Sequence, residues 1–270
     1  MSVVRPQRRT PAAVLAAILA AWAAAGIAQA AGAGAVLHGH AGVHDAGEPL
    51  WVTVLLPPFW VSAVAFLVAW QVMVAAMMLP SSLPMVRLFT HAARRQEGSN
   101  RIVAAFLGGY GVVWAGCGAA AFAADVALHR AGGAVAWFDA HPWVAPAAAL
   151  AGAGAFQFSG LKDRCLDQCR HPGPFLMRHY RRGTRGGFEL GRRHGMFCIG
   201  CCWALMGLML VMGAASLVWM AGLAAVMYYE RAGRHGGRLT PVVGVALVAW
   251  GILVAVHPGW LPALLGGVAS

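Results

Sequence analysis

Three of the chain's six cysteines, Cys198, Cys201 and Cys202, fall within five positions of "GMFCIGCCWALMGLM" (residues 195–209). Two more, Cys165 and Cys169, stand four apart in "LKDRCLDQC". Separations of three and four residues put side chains on one helical face, so each group would present its sulfurs together. Thiolates are soft donors: two or three suffice for Cu(I), and four tetrahedral sulfur or nitrogen ligands are usual for structural zinc. Arg164, Arg170, Arg192 and Arg193 flank the two groups and would favour thiolate over thiol. The pattern points to a metal site built from all five cysteines, with Cu(I) favoured and Zn(II) the alternative. Two other readings stay open on spacing alone. Small cysteines pack between transmembrane helices, as Cys117 in "VVWAGCGAAAF" is expected to do, and Cys198-Ile199-Gly200-Cys201 has the C-x-x-C spacing of a redox pair, without a thioredoxin-like βαβ context.

Methionines and histidines extend the list of candidate ligands. "QVMVAAMMLPSSLPMVRLF" places Met73 and Met77 on one face, with Met77, Met78 and Met85 near the same membrane level as the cysteines. Thioethers prefer Cu(I) to zinc, although methionine is also a common gap-filler, and the Met206, Met209 and Met212 series reads as packing. Pro80 is expected to stop that helix as it leaves the membrane. On the opposite face, His38, His40 and His44 with Asp45 form a weaker candidate for a borderline ion such as Cu(II), Zn(II) or Ni(II), against the plain alternative of a solvated loop. His171, His179 and His194 are further candidates that their spacing does not select.

The elements that would position these groups follow from composition. With 60% hydrophobic and 11% charged residues over 270 positions and a mean hydropathy of +0.65, the chain reads as a single integral membrane domain, all-α and polytopic. No short alternating pattern of an outer-membrane barrel is present. Spans are expected near residues 11–37, 57–79, 102–128, 142–160 and 240–256, with an apolar stretch over 196–229 between the last two. The first could be a cleaved signal peptide, but its apolar run is long for a signal core, so a retained helix is expected. As one helix the 196–229 stretch would be about 50 Å long against a core of about 30 Å, so a turn near Gly213-Ala214-Ala215-Ser216 is expected to divide it. Seven spans are then favoured over six, because seven put 19 of the 20 basic residues on one side, with Arg130 alone opposite. The net charge of +11 thus lies in short loops that orient the chain, not in a nucleic-acid-binding module. The expected setting is the inner membrane of a bacterium, with the N-terminus and the basic loop 161–195 cytoplasmic.

"MMLPSSLPM" (77–85), "LKDRCLDQCRHPGPFL" (161–176) and "RRHGMFCIGCCWALMGLM" (192–209), with Trp219-Met220 and Glu230-Arg231, resemble a bacterial family. It is known as predicted metal-binding integral membrane proteins, some labelled copper chaperones. The likeness covers roughly residues 57–235, and the family's matching positions are Met77, Met78, Pro80, Cys165, Cys169, Cys198, Cys201, Cys202 and Glu230. The chain departs from the pattern at Ala215-Ser216, where Met-Asn is expected, and at Arg231, where lysine is usual. The clustering of soft ligands at one membrane face points to capture of Cu(I) and its delivery to a partner protein or across the lipid bilayer, and the resemblance adds the family's copper-chaperone label. A membrane thiol redox protein and an assembly subunit with packing cysteines are the alternatives. No G-x-x-x-x-G-K-[ST] loop or H-E-x-x-H pattern occurs, Asp125 is the one carboxylate read within a span, and no enzyme activity is expected. Nothing in the sequence indicates an oligomeric state.

Overall fold

A computed structural model describes residues 12–30, 57–132, 141, 143–212 and 217–258. Among these residues it is all-helical: α1 (Ala12–Ala30), α2 (Pro57–Ala93), α3 (Ser99–Gly132), α4 (Val144–Phe156), α5 (Gly160–Arg170), α6 (Pro172–His179), α7 (Gly183–Met212), α8 (Leu217–Ala232) and α9 (Gly236–Val256). Four of the described helices, α1, most of α2 and α3, and α9, are long and apolar enough to cross a membrane. The bent pair α4 and α5 makes a fifth if it counts as one span. Helix α7 ends at Met212 and α8 begins at Leu217, so the expected division of 196–229 falls on residues 213–216, outside the described set. His38, His40 and His44 also lie outside it.

Two expectations need correction. Helix α2 does not stop at Pro80 but runs through Pro80 and Pro84 to Ala93. A proline lacks the N–H that would bond the carbonyl four residues earlier, which here is Ala76. That carbonyl is satisfied from outside, by Trp22 Nε1 of α1 at 3.0 Å, which removes much of the penalty for continuing the helix. The segment 161–195, expected as a loop, is almost entirely helical. Ser159, extended at φ −78° and ψ 136°, caps α5 by accepting from the Lys162 N–H at 3.1 Å, and α5 leaves α4 at a bend of 64°.

Glycines bring the helices that carry the cysteines into close contact. Along α7, Gly187, Gly191 and Gly195 recur every four residues and face α3. A Cβ at Gly187 would lie 2.7 Å from the Ile102 carbonyl oxygen, one at Gly195 would lie 3.1 Å from Val113, and one at Gly191 would collide with the Phe106 carbonyl. Gly109 of α3 packs against the Phe188 carbonyl in return. Such small-residue stripes let helix backbones approach closely. Across α2 and α3, Trp70 Nε1 donates to the Trp114 carbonyl at 2.9 Å and Gln71 Nε2 to the Gly111 carbonyl at 2.9 Å. The α2–α3 turn, with Gly98 at φ 67°, is tied to the start of α7 through Gln96. Its Nε2 donates to Tyr180 Oη at 2.8 Å, and its Oε1 accepts from the Gly183 N–H at 2.9 Å.

The seam is testable with neighbouring glycines. Gly109→Ala drives a methyl into the Phe188 carbonyl, whereas a Cβ at Gly108 meets nothing within 4 Å. Thermal unfolding of the detergent-purified protein should show Gly109→Ala destabilised by about 1–3 kcal/mol and Gly108→Ala unchanged or slightly more stable. Equal stability of the two variants would refute the close α3–α7 contact.

Candidate metal centre

Four helices supply one cluster of sulfur and charge. Helix α7 contributes Cys198, Cys201 and Cys202, all buried, and the i to i+3 and i+4 spacing turns them to one side. Helix α5 brings Cys165 and Cys169, α2 brings Met78 and Ser81, and α8 brings Glu230 and Arg231. All six cysteines are free thiols. Cys169 Sγ lies 4.0 Å from Cys201 Sγ, and Cys202 Sγ lies 3.6 Å from Met78 Sδ. Cys201 and Cys202 also donate back to the Cys198 carbonyl, at 3.2 and 2.9 Å. Cys165 reaches the same wall of α7 at Gly200, where a Cβ would lie 2.5 Å from its sulfur. Met77 is fully buried in the same apolar core, and Cys117 packs half-buried at its margin as expected.

The arginine that meets the thiols is not one of the four flanking them in sequence. Arg192 and Arg193 both bond Glu189, at 2.9–3.0 Å, one turn before the apolar part of α7. Those hydrogen bonds, Arg192 foremost, hold the Glu189 carboxyl down at about 2. Arg164 is exposed, and Arg170 lies against Gly236 and Gly237. Arg231 instead turns inward: its Nη2 donates to Cys201 Sγ at 2.9 Å, to Cys198 Sγ at 3.0 Å and to the Cys198 carbonyl at 3.2 Å. Its Nη1 donates to Ser81 Oγ at 2.9 Å, and Ser81 Oγ in turn donates to the Met78 carbonyl at 2.9 Å. Tyr110 Oη stands 3.0 Å from Cys198 Sγ, with Ser82 Oγ behind it at 3.5 Å.

A second charge pair closes the cluster beside Arg231. Lys162 Nζ bonds Glu230 Oε2 at 2.8 Å and also Gln157 Oε1, with its side chain fully buried and that of Glu230 3% exposed. Neither Lys162, Tyr110 nor Ser81 stands out by spacing. The available signal for Lys162 was that it is the single lysine among 20 basic residues. His194, one turn before Cys198, is buried and stacked on the Tyr110 ring, and its Nε2 has no hydrogen-bond partner among the described residues. His171 and His179 instead pair through Nδ1 with the Asp167 and Phe175 carbonyls of their own turns. Among the described residues no three histidine, cysteine or carboxylate side chains form a ready-made metal cage. The close donors are a pair of thiols on one guanidinium, a third thiol beside them and a thiol–thioether pair.

Removing one member of a buried ion pair strands the other charge, which typically costs about 3–5 kcal/mol, whereas removing both is far cheaper. Lys162→Met should therefore destabilise the purified protein by about that much in thermal unfolding. Lys162→Met with Glu230→Leu should recover most of the loss, and a double variant no better than the single one would argue against the pair.

Comparison with known proteins agrees with this chemistry. Residues 67–254 match the family PpoB2, described as a copper chaperone. That region contains Met77, Met78, Glu230, Arg231 and all five clustered cysteines. No curated protein and no solved structure matches the chain. With more than two thirds of its length matched, the chain belongs to the PpoB2 copper chaperone family.

Proposed function

We propose that the protein is a multi-pass inner-membrane carrier that captures Cu(I) at the α5–α7 thiols and hands it to an acceptor protein or across the bilayer. The observation that carries this reading is the convergence of Cys198, Cys201, Cys202 and Met78, all buried, with the partly buried Cys169 in one cluster drawn from three helices. The donor set fits the cargo. Thiolates and thioethers are the ligands a soft monovalent ion prefers, and two sulfurs satisfy it where zinc usually takes four ligands. The protein's own groups would bind and orient the ion: Cys198 and Cys201 as the primary pair, Cys169 as a third sulfur, and Cys202 with Met78 as a neighbouring station. Cys165 would approach from α5 along Gly200. Each thiol that binds releases its proton, so uptake should weaken as pH falls. No bond-making chemistry is assigned to the protein, and a donor or acceptor protein is its expected partner.

The seven-span topology belongs to the same proposal. Support comes from the contacts that gather the basic segments at one end. Gln96 of the 94–98 turn bonds Tyr180 and Gly183, and Arg170 lies against Gly236 and Gly237. Positive residues that cluster on one side mark the cytoplasmic face, which would place copper capture there.

One observation favours a second reading. The 4.0 Å Cys169–Cys201 sulfur separation is close enough that a modest approach would allow a disulfide. Oxidation by a partner disulfide would take two electrons and two protons from that pair and leave the partner as a dithiol.

Metal analysis separates the proposals. Wild type purified after Cu(I) loading should retain copper, and the Cys198→Ser, Cys201→Ser, Cys202→Ser triple variant should retain less than about a tenth as much. An unchanged ratio would leave packing as the role of these cysteines, while a trapped mixed disulfide at Cys169 or Cys201 would favour the redox reading. Reporter fusions within 94–98 and 180–183 should both report the cytoplasm and one within 38–56 the opposite side. Any other pattern would refute the topology.

A further inference from the structure

We propose that Arg231 makes the thiol centre selective for a monovalent ion, by supplying the positive charge that an ion bound between the Cys198 and Cys201 thiolates would leave unbalanced. The inference rests on the Cu(I) reading above and deepens it. Arg231 is 6% exposed, and a buried guanidinium needs an anionic partner. Its neighbour Glu230 is engaged by Lys162 at 2.8 Å, and no ion pair joins Arg231 to a carboxylate among the described residues. Its remaining contacts are a serine hydroxyl, a carbonyl and two sulfurs, Cys198 Sγ and Cys201 Sγ, both held by the same Nη2 at 3.0 and 2.9 Å. Of these, sulfur alone can carry the negative charge.

Charge accounting then distinguishes ions. A monovalent ion on two thiolates forms a complex of charge −1, and the guanidinium beside it brings the centre to zero. A divalent ion on the same two thiolates is already neutral, so the guanidinium would leave an excess positive charge in a low-dielectric setting, where such charges are costly. A divalent ion regains neutrality only by adding a third thiolate. The sulfur placed for this is Cys169, 4.0 Å from Cys201 Sγ. The binding step exchanges ions without redox change: the sulfur already held as a thiolate by Arg231 and the second sulfur each form a metal–sulfur bond, the second loses its S–H proton to water, and the ion keeps its charge.

Ag(I), a soft monovalent probe that does not change oxidation state on binding, and Zn(II) can be competed on the full-length protein in detergent. Wild type should prefer Ag(I). Arg231→Gln should lower the Ag(I)-to-Zn(II) affinity ratio by about tenfold or more, and Arg231→Lys, which keeps the charge, should hold it near wild type. Cys169→Ser should weaken Zn(II) binding by at least about tenfold more than it weakens Ag(I) binding, which tests the same accounting if Arg231→Gln fails to fold. An unchanged ratio in folded Arg231→Gln, or Ag(I) lost from Cys169→Ser as completely as from Cys198→Ser, would overturn the selectivity and leave the Cu(I) reading standing. Absence of Ag(I) and Cu(I) binding by wild type would overturn both.

Discussion

A guanidinium held at 6% exposure against two cysteine sulfurs is an expensive thing to build, and the helices around it are arranged to meet its demands. Glu230 and Arg231 are consecutive in α8, so their side chains leave the helix in different directions. Glu230 meets Lys162 on one side, while Arg231 meets Ser81 and the thiols on the other. The two charges therefore do not neutralise one another. Lys162 is needed to satisfy Glu230, and the thiols are left as the counterpart of Arg231. That division requires α5 to lie beside both α7 and α8, which the bend after α4 and the Ser159 cap accomplish.

Close approach of backbones is the second condition. Cys198 can stand 3.0 Å from Tyr110 because α7 lies directly on α3, and α7 can lie there because Gly187, Gly191 and Gly195 offer no Cβ at the contact. The far wall of the site depends on α2 persisting past Pro80. Ser81 and Ser82, which hold Arg231 and Tyr110, exist as helical neighbours of Met78 because Trp22 of α1 takes up the Ala76 carbonyl that the proline leaves unbonded. A distant indole thus contributes to the geometry of the thiol cluster without touching it.

Much of this was legible locally. Cysteines three and four apart on an apolar helix share a face whatever the tertiary structure, while it is the packing of α5 on α7 that puts Cys169 Sγ 4.0 Å from Cys201 Sγ. Pro80 locally favours a helix end, and only the packing of α1 supplies the Trp22 indole that offsets its missing backbone bond. The basic segment 161–195 read as a loop because its charges mask amphipathic helices. In α6 Phe175 and Leu176 face inward, while Met177 and Arg178 are exposed. The four flanking arginines were expected to act on the thiols, yet Arg192 and Arg193 are held by Glu189 on the exposed side of α7.

The sequence by itself determined the class of chemistry and the units that carry it: soft sulfur donors, helical spacing, and long apolar helices with charge confined to their ends. These depend on residue type and on contacts within a few positions, where backbone periodicity alone decides which side chains are neighbours. Tertiary structure alone decided which charge meets the sulfurs. Arg231 lies 30 and 33 residues from Cys201 and Cys198, and Lys162 lies 68 from Glu230. Over such separations no local periodicity relates two side chains. Which basic group is buried depends on how α5, α7 and α8 pack and on whether a partner waits there to balance the cost of leaving water.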